Sequence, residues 1–196
     1  MHSSSKMISH NTGKVHELFI LNPIATINID ENDLLNLTNL ELITPSKASI
    51  TLLNLYTNKS FFKLNANITS NANLALVTNA YGLVIGNQTN LEAERIFITN
   101  YQIDEDHFHE TKELIVTIAP GDHYIKNYGN IFARNPKNSA IASDKLLHNG
   151  SISDSINYKI YVGQLVSDEF YTADEYEETD SVLGKLFNFI FGGDHG

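Results

Sequence analysis

Apolar residues in this chain come in short bursts closed by Asn, Gly, Ser or Thr, most densely between Leu64 and Thr99. There Ile68, Leu74 to Val77, Leu83 to Ile85, Leu91 and Ile96 to Ile98 mark successive pieces only a few residues long. The residues between them tolerate left-handed backbone or bond their own amides, which is the chemistry of strand ends and tight turns. No piece has the length of an ordinary helix, and the apolar positions do not keep a 3.6-residue period. The turns come too often for a parallel sheet with helical crossovers. Short strands stacked through tight corners predict a β-solenoid, in which each coil buries its inward side chains against the next.

The flanks extend this reading. Residues 1–14 are polar and rich in His and Ser, and are expected to be a disordered tail. Leu18 to Leu21 form a strand candidate stopped by Asn22-Pro23; Ile24, Ile27 and Ile29 follow, then the turn Asp30-Glu31-Asn32-Asp33. Asp30, Asn32 and Asp33 begin as a calcium loop begins, but the glycine at its sixth position and the closing Glu are missing, which leaves a solvated turn as the simpler reading. Ala48 to Tyr56, Leu114 to Ala119 and Tyr158 to Val166 read as further strands. Residues 167–180 are an acidic run, read as a solvated linker or an interaction tail. Val182, Leu183, Leu186, Phe187, Ile190 and Phe191 then fall at helical spacing, with Asp180 or Ser181 as a cap and Gly192-Gly193 as a stop. Such a short helix must dock, either on the open end of the solenoid or on a partner or membrane surface, an anionic membrane being disfavoured by the acidic residues just before it. The expected organisation is a tail (1–14), a β-helix (15–166), a linker (167–180) and a C-terminal amphipathic capping helix (181–193).

Composition narrows the function. A 42% hydrophobic content over 196 residues supports one sizeable core. A formal charge of −10 with no Lys/Arg cluster argues against nucleic acid. The absence of cysteine removes disulfides, thiolate metal sites and thiol catalysis. No apolar run approaches the roughly 20 residues of a membrane span, and the opening Met1 to Met7 lacks the apolar centre of a signal peptide.

Ala48 to Tyr56 followed by Leu64 to Thr99 resembles the secretion domain of filamentous-haemagglutinin-type exoproteins, the adhesins and toxins exported by two-partner secretion. In that family a strand ends in an Asn-Arg-Val-like triplet, and Asn54 and Leu55 stand at its place here without the arginine. The family's Asn-Pro-Asn-Gly-Ile signature is matched by Asn79-Ala80-Tyr81-Gly82-Leu83, with Ala80 and Tyr81 departing from it. Ile125 to Ala133 resembles the repeat Val-x-Asn-x-Gly-x-Ile-x-Ala, and Leu147 to Ser153 a degenerate copy; Gly129 and Gly150 are spaced by roughly one solenoid coil. The resemblance implies a mostly β, right-handed parallel β-helix. It implies recognition in extended form by an outer-membrane barrel transporter, folding outside the cell, and no catalysis or cofactor. Asn54, Asn79, Gly82 and Leu83 would belong to the recognition and folding motif, with Gly82 at a backbone turn that no Cβ residue fits. A host-surface receptor or glycan is the further partner expected of a secreted or surface adhesin. The alternative is an intracellular structural or self-assembling β-solenoid, and behind it a polysaccharide-acting solenoid enzyme.

The densest ionisable group is Asp104-Glu105-Asp106-His107-Phe108-His109-Glu110. On an extended strand His107 and His109 share a face and could bind zinc or nickel, with Asp106 and Glu110 adding oxygens. The competing reading is an acidic surface loop or an excursion from the solenoid. The polysaccharide enzyme would draw on Asp104 and Asp106, but Arg95 and Lys112 complete no recognisable set with them. Asn36, Asn58, Asn67, Asn87 and Asn149 head Asn-x-Ser/Thr acceptors, which some exported adhesins resembling this family glycosylate.

Overall fold

The computed structural model describes residues 1–118, 121–135, 139–148, 150–152, 159–165 and 185–190. Two short strands open it, β1 (His2–Ser3) and β2 (Met7–Thr12), before a first coil of β3 (Val15–Ile20) and β4 (Ile24–Asp30) closed by a 3-10 turn at Glu31–Leu34. The second coil is β5 (Asn39–Ile43), β6 (Ile50–Tyr56) and β7 (Phe61–Leu64). The third is β8 (Asn67–Ser70), β9 (Asn73–Thr78) and β10 (Gly82–Ile85). The fourth begins as β11 (Asn90–Ala93) and β12 (Ile96–Thr99). It is then interrupted by an insert of β13 (Gln102–Ile103), helix α1 (Glu105–Thr111) and β14 (Glu113–Ile118), and ends as β15 (Tyr124–Asn127). Then come β16 (Asn130–Ala133), the long β17 (Ala140–His148), β18 (Ser151–Ile152), β19 (Lys159–Leu165) and finally β20 (Lys185–Ile190).

From β3 onward the coils stack in parallel register as a β-solenoid of about five turns with three faces. One face holds β4, β6, β9, β12 and the first half of β17; the second holds β7, β10, β15 and the second half of β17; the third holds β3, β5, β8, β11, β16 and β18. Each face sends stacked rows of apolar side chains inward. Ile27, Leu53, Leu76, Ile98 and Ile141 align on the first, Phe62, Leu83, Ile125 and Leu146 on the second, and Leu40, Ile68, Leu91 and Ile131 on the third. All of them are buried in one core. Stacking like on like keeps the coil cross-section constant, so strands of four residues suffice.

The first face has a second core on its outside. Ile50, Leu52, Ala75, Phe97, Ala140 and Ala142 point away from the solenoid axis and pack under Tyr101, Phe108, Leu114 and Val116 of the insert. This explains why β9 and β12 are buried at every position and read as unbroken apolar runs, whereas β7 and β16 alternate.

Two expectations change. Residues 1–14 are not a disordered tail: β2 pairs antiparallel with β3 over Met7–Thr12, and β1 pairs with β4. Backbone ladder bonds hold this segment with little side-chain burial, because an uncovered coil edge offers unpaired N–H and C=O groups. The expected helix over 181–193 is a strand where it is described: Lys185–Ile190 lies antiparallel against β14. The edge of β14 gives this segment a full ladder, which a helix of about three turns cannot match alone. The acidic linker 167–180 lies outside the described residues. Asp30 and Asp33 close a capping box, each accepting the other's backbone N–H at 3.0 and 2.9 Å. The Met1 ammonium donates to Asp33 at 2.9 Å, so these oxygens serve the turn and the chain start rather than converging as in a calcium loop.

Candidate functional site

Asparagine side chains stitch coil to coil. Asn67 donates to Asn39 at 3.0 Å and accepts from the backbone of Asn90 at 2.8 Å, and Asn130 donates to Asn90 at 2.7 Å. These residues open β5, β8, β11 and β16, so one amide ladder runs along an edge of the third face. A second device is a corner clamp. Asn71 accepts from the Thr44 N–H at 2.9 Å and donates to the Thr44 carbonyl at 3.0 Å; Asn79 does the same to Thr57, both at 3.1 Å. The amide imitates a backbone unit and pairs two turns that lack a strand.

The residues of the resemblance gather near that second clamp. Asn54, 5% exposed at the end of β6, donates to Asn28 at 3.0 Å and to Glu105 of α1 at 2.8 Å, tying the insert to the solenoid. Leu83 is wholly buried in the second-face row. Gly82 has a different role from the one expected. Its backbone is not left-handed. Instead, a Cβ there would lie 2.2 Å from Cζ of Tyr124, its register partner on β15. Gly82 makes room for a ring.

Where the chain leaves the fourth coil, Asn100 holds three coils together. Its amide donates to the carbonyls of Tyr81 and Tyr124, both at 2.8 Å, and its oxygen accepts from the Ser143 hydroxyl at 2.9 Å. Beside it the Tyr101 hydroxyl donates to Asp144 at 2.5 Å. The other oxygen of Asp144 accepts from the His123 backbone N–H at 3.0 Å and from Nδ1 at 2.9 Å. Burial, then the hydrogen bond and charge of Asp144, push the Tyr101 phenol far up from its usual range. A carboxylate only accepts, so Nδ1 carries the hydrogen of this bond. The His123 ring lies 5.1 Å from both Tyr81 and Tyr101, centroid to centroid.

These groups frame a cleft of about 520 Å³ between the β6 and β9 corners and the insert, lined by Asn54, Tyr56, Asn79, Tyr81, Gln102, Glu105 and His123 among others. Tyr56 and Tyr81 are 42% and 59% exposed. Burial, then the Glu105 carboxylate, raises the Tyr56 phenol. The cleft was not foreseeable from local sequence, since Tyr101 and Asp144 stand 43 residues apart.

His107 and His109 do not form a pair. The segment is the helix α1 rather than a strand, so residues two apart point to different sides. His107 bonds Glu113 at 2.9 Å, while His109 bonds Thr26 at 2.7 Å. Among the described residues no group of three or more His, Cys, Asp or Glu is placed to hold a metal ion. Asp104 caps α1 through the His107 N–H at 3.1 Å. The cluster is an excursion from the solenoid, one of the two readings it allowed. Of the glycosylation acceptors, Asn36, Asn58 and Asn87 are exposed, Asn67 is engaged in the amide ladder, and Asn149 lies outside the described residues.

No family model matches the chain, and comparison with curated proteins returns no match.

Proposed function

We propose that this chain is a non-enzymatic secretion module of the two-partner type. It is recognised in extended form by an outer-membrane barrel transporter and folds as a right-handed parallel β-helix at the cell surface. The handedness follows the strong preference of parallel crossover connections. The observation that carries the reading is the one-way stacking of the coils. The first is bordered by β2 along all of β3 and by β1 along part of β4, and each later coil finds its hydrogen-bonding edge already laid down by the one before. A chain emerging N-terminus first can fold coil by coil without waiting for its far end, and a folded coil cannot slip back through a pore. Of the motif positions, Asn54 lies within β6 and bonds Asn28 of the coil before it, and Asn79 lies in the turn after β9 and clamps Thr57; both would be read before folding and tie neighbouring coils after it.

The first coil weighs against the alternative, an intracellular self-assembling solenoid, since β2 covers the whole β3 edge and β1 part of the β4 edge that end-to-end stacking would use. The test is location and the true first residue in the native cells, read by fractionation and mass spectrometry. A processed chain in the medium or on the outer surface supports the proposal. An unprocessed chain beginning at Met1 in the cytosol overturns it.

A further inference from the structure

We propose that the cleft between the β6 and β9 corners and the insert binds a neutral saccharide. Its volume of about 520 Å³ falls within the range of small-molecule sites. Tyr81 and Tyr56 present exposed rings at its wall. A pyranose ring offers an apolar C–H face, and an exposed phenol ring is a flat apolar surface with a polar tip to receive it. Saccharide hydroxyls both donate and accept, and the cleft supplies both functions. Among the described residues the Gln102 amide, Nε2 of His123 and the second carboxylate oxygen of Glu105 are not committed to another side chain or backbone group.

Two of these groups are held in place before any ligand arrives. Asp144 fixes the His123 ring through Nδ1, and Asn54 fixes Glu105 at 2.8 Å. Fixed partners lower the ordering cost of binding. Charge selects among sugars. Glu105 lines the cleft, Asp144 lies behind His123, and no Lys or Arg is among the lining residues. Sialic acids and uronates would meet like charge, so the site suits uncharged hexoses and their N-acetyl derivatives. The inference goes beyond the export reading and does not depend on it, because it concerns the folded domain whatever route brought it to its place.

The experiment is a titration of the isotope-labelled full chain with cellotriose, maltotriose, mannotriose and chitotriose, with sialyllactose and trigalacturonate as charged probes. Amide shifts across residues 79–81 and 100–105 and at the Gln102 side chain are followed. The expected result is that at least one neutral trisaccharide moves these signals. Tyr81→Ala should weaken that binding about tenfold or more while signals elsewhere keep their positions, and the charged probes should bind at least about tenfold more weakly. Tyr81 is exposed, so its loss does not threaten folding; Gln102→Ala serves as a second variant and should weaken binding too. The proposal is overturned if no neutral probe shifts these signals at ~10 mM. It is equally overturned if affinity survives both Tyr81→Ala and Gln102→Ala, or if the charged probes bind as well as the neutral ones.

Discussion

Asn79 sets both ends of its side-chain amide on the backbone of Thr57, one coil earlier, accepting from its N–H and donating to its carbonyl at 3.1 Å each. Neither partner belongs to a strand, so this pair is the local substitute for a ladder. Asn79→Ala should cost about 1–2 kcal/mol in urea unfolding. Asn79→Asp should cost no less, because the carboxylate cannot donate to the Thr57 carbonyl. An unchanged midpoint in both variants would show that water replaces the clamp without loss.

Gly82 and Gly129 make a contrast that separates two uses of glycine. At Gly82 the obstacle to a Cβ is the far end of the Tyr124 side chain; at Gly129 it is backbone, with the Thr89 carbonyl oxygen 2.4 Å away. A ring can swing aside and a carbonyl in the ladder cannot. Gly82→Ala should therefore be mildly destabilising and recovered in the Gly82→Ala/Tyr124→Ala double variant. Gly129→Ala should cost several times more, and no single neighbouring truncation should recover it. Thermal melts of these three variants against the wild type give the comparison, and equal losses at both glycines would refute it.

Removing the Asn100 side chain strips hydrogen bonds from two carbonyls and the Ser143 hydroxyl at a position only 4% exposed. Asn100→Ala should cost about 2–4 kcal/mol, more than the Asn79 change, because water reaches this site poorly. Hydrogen exchange should accelerate at residues 81, 124 and 143 together. Acceleration at one alone would mean that Asn100 does not couple the three coils.

The Tyr101 phenol is held neutral by burial and by Asp144. Its folded pKa lies above the unfolded value of 10.0, so its contribution to stability is intact below pH 10 and is lost as the pH rises beyond it. Urea midpoints measured from pH 8 to pH ~11.5 should fall more steeply for the wild type than for Tyr101→Phe, which has no proton to lose there. Parallel curves would assign the alkaline loss to other groups.

The solenoid was legible from its corners. Asn and Gly at regular intervals marked the turns, and the amide ladder through Asn39, Asn67, Asn90 and Asn130 follows from that spacing. Three things were hidden, each for a physical reason. The strand Met7–Thr12 is held by backbone pairing with mostly exposed side chains, so it leaves no apolar pattern. Helix α1 is a short piece whose one buried side chain is Phe108, too little to show a period, although Asp104 stands as its cap. For Lys185–Ile190 the spacing Leu186, Phe187 and Ile190 fits a helical face, and the deciding partner, the edge of β14, is remote in sequence. Of the site, Asn54 and Asn79 were visible as motif positions. Tyr101, His123 and Asp144 meet only because the insert departs and returns at one corner.

That insert has a consequence for the order of events in a chain that appears N-terminus first. It leaves the solenoid after Thr99, yet the surface beneath it includes Ala140 and Ala142, which come later in the chain. Phe108, Leu114 and Val116 therefore exist before part of the floor they cover. Until β17 docks, Ala140 and Ala142 are missing from the surface under Phe108, Leu114 and Val116, and the pairing of Asp144 with Tyr101 and His123 has yet to form, so the insert reaches its final seat only with the last coil.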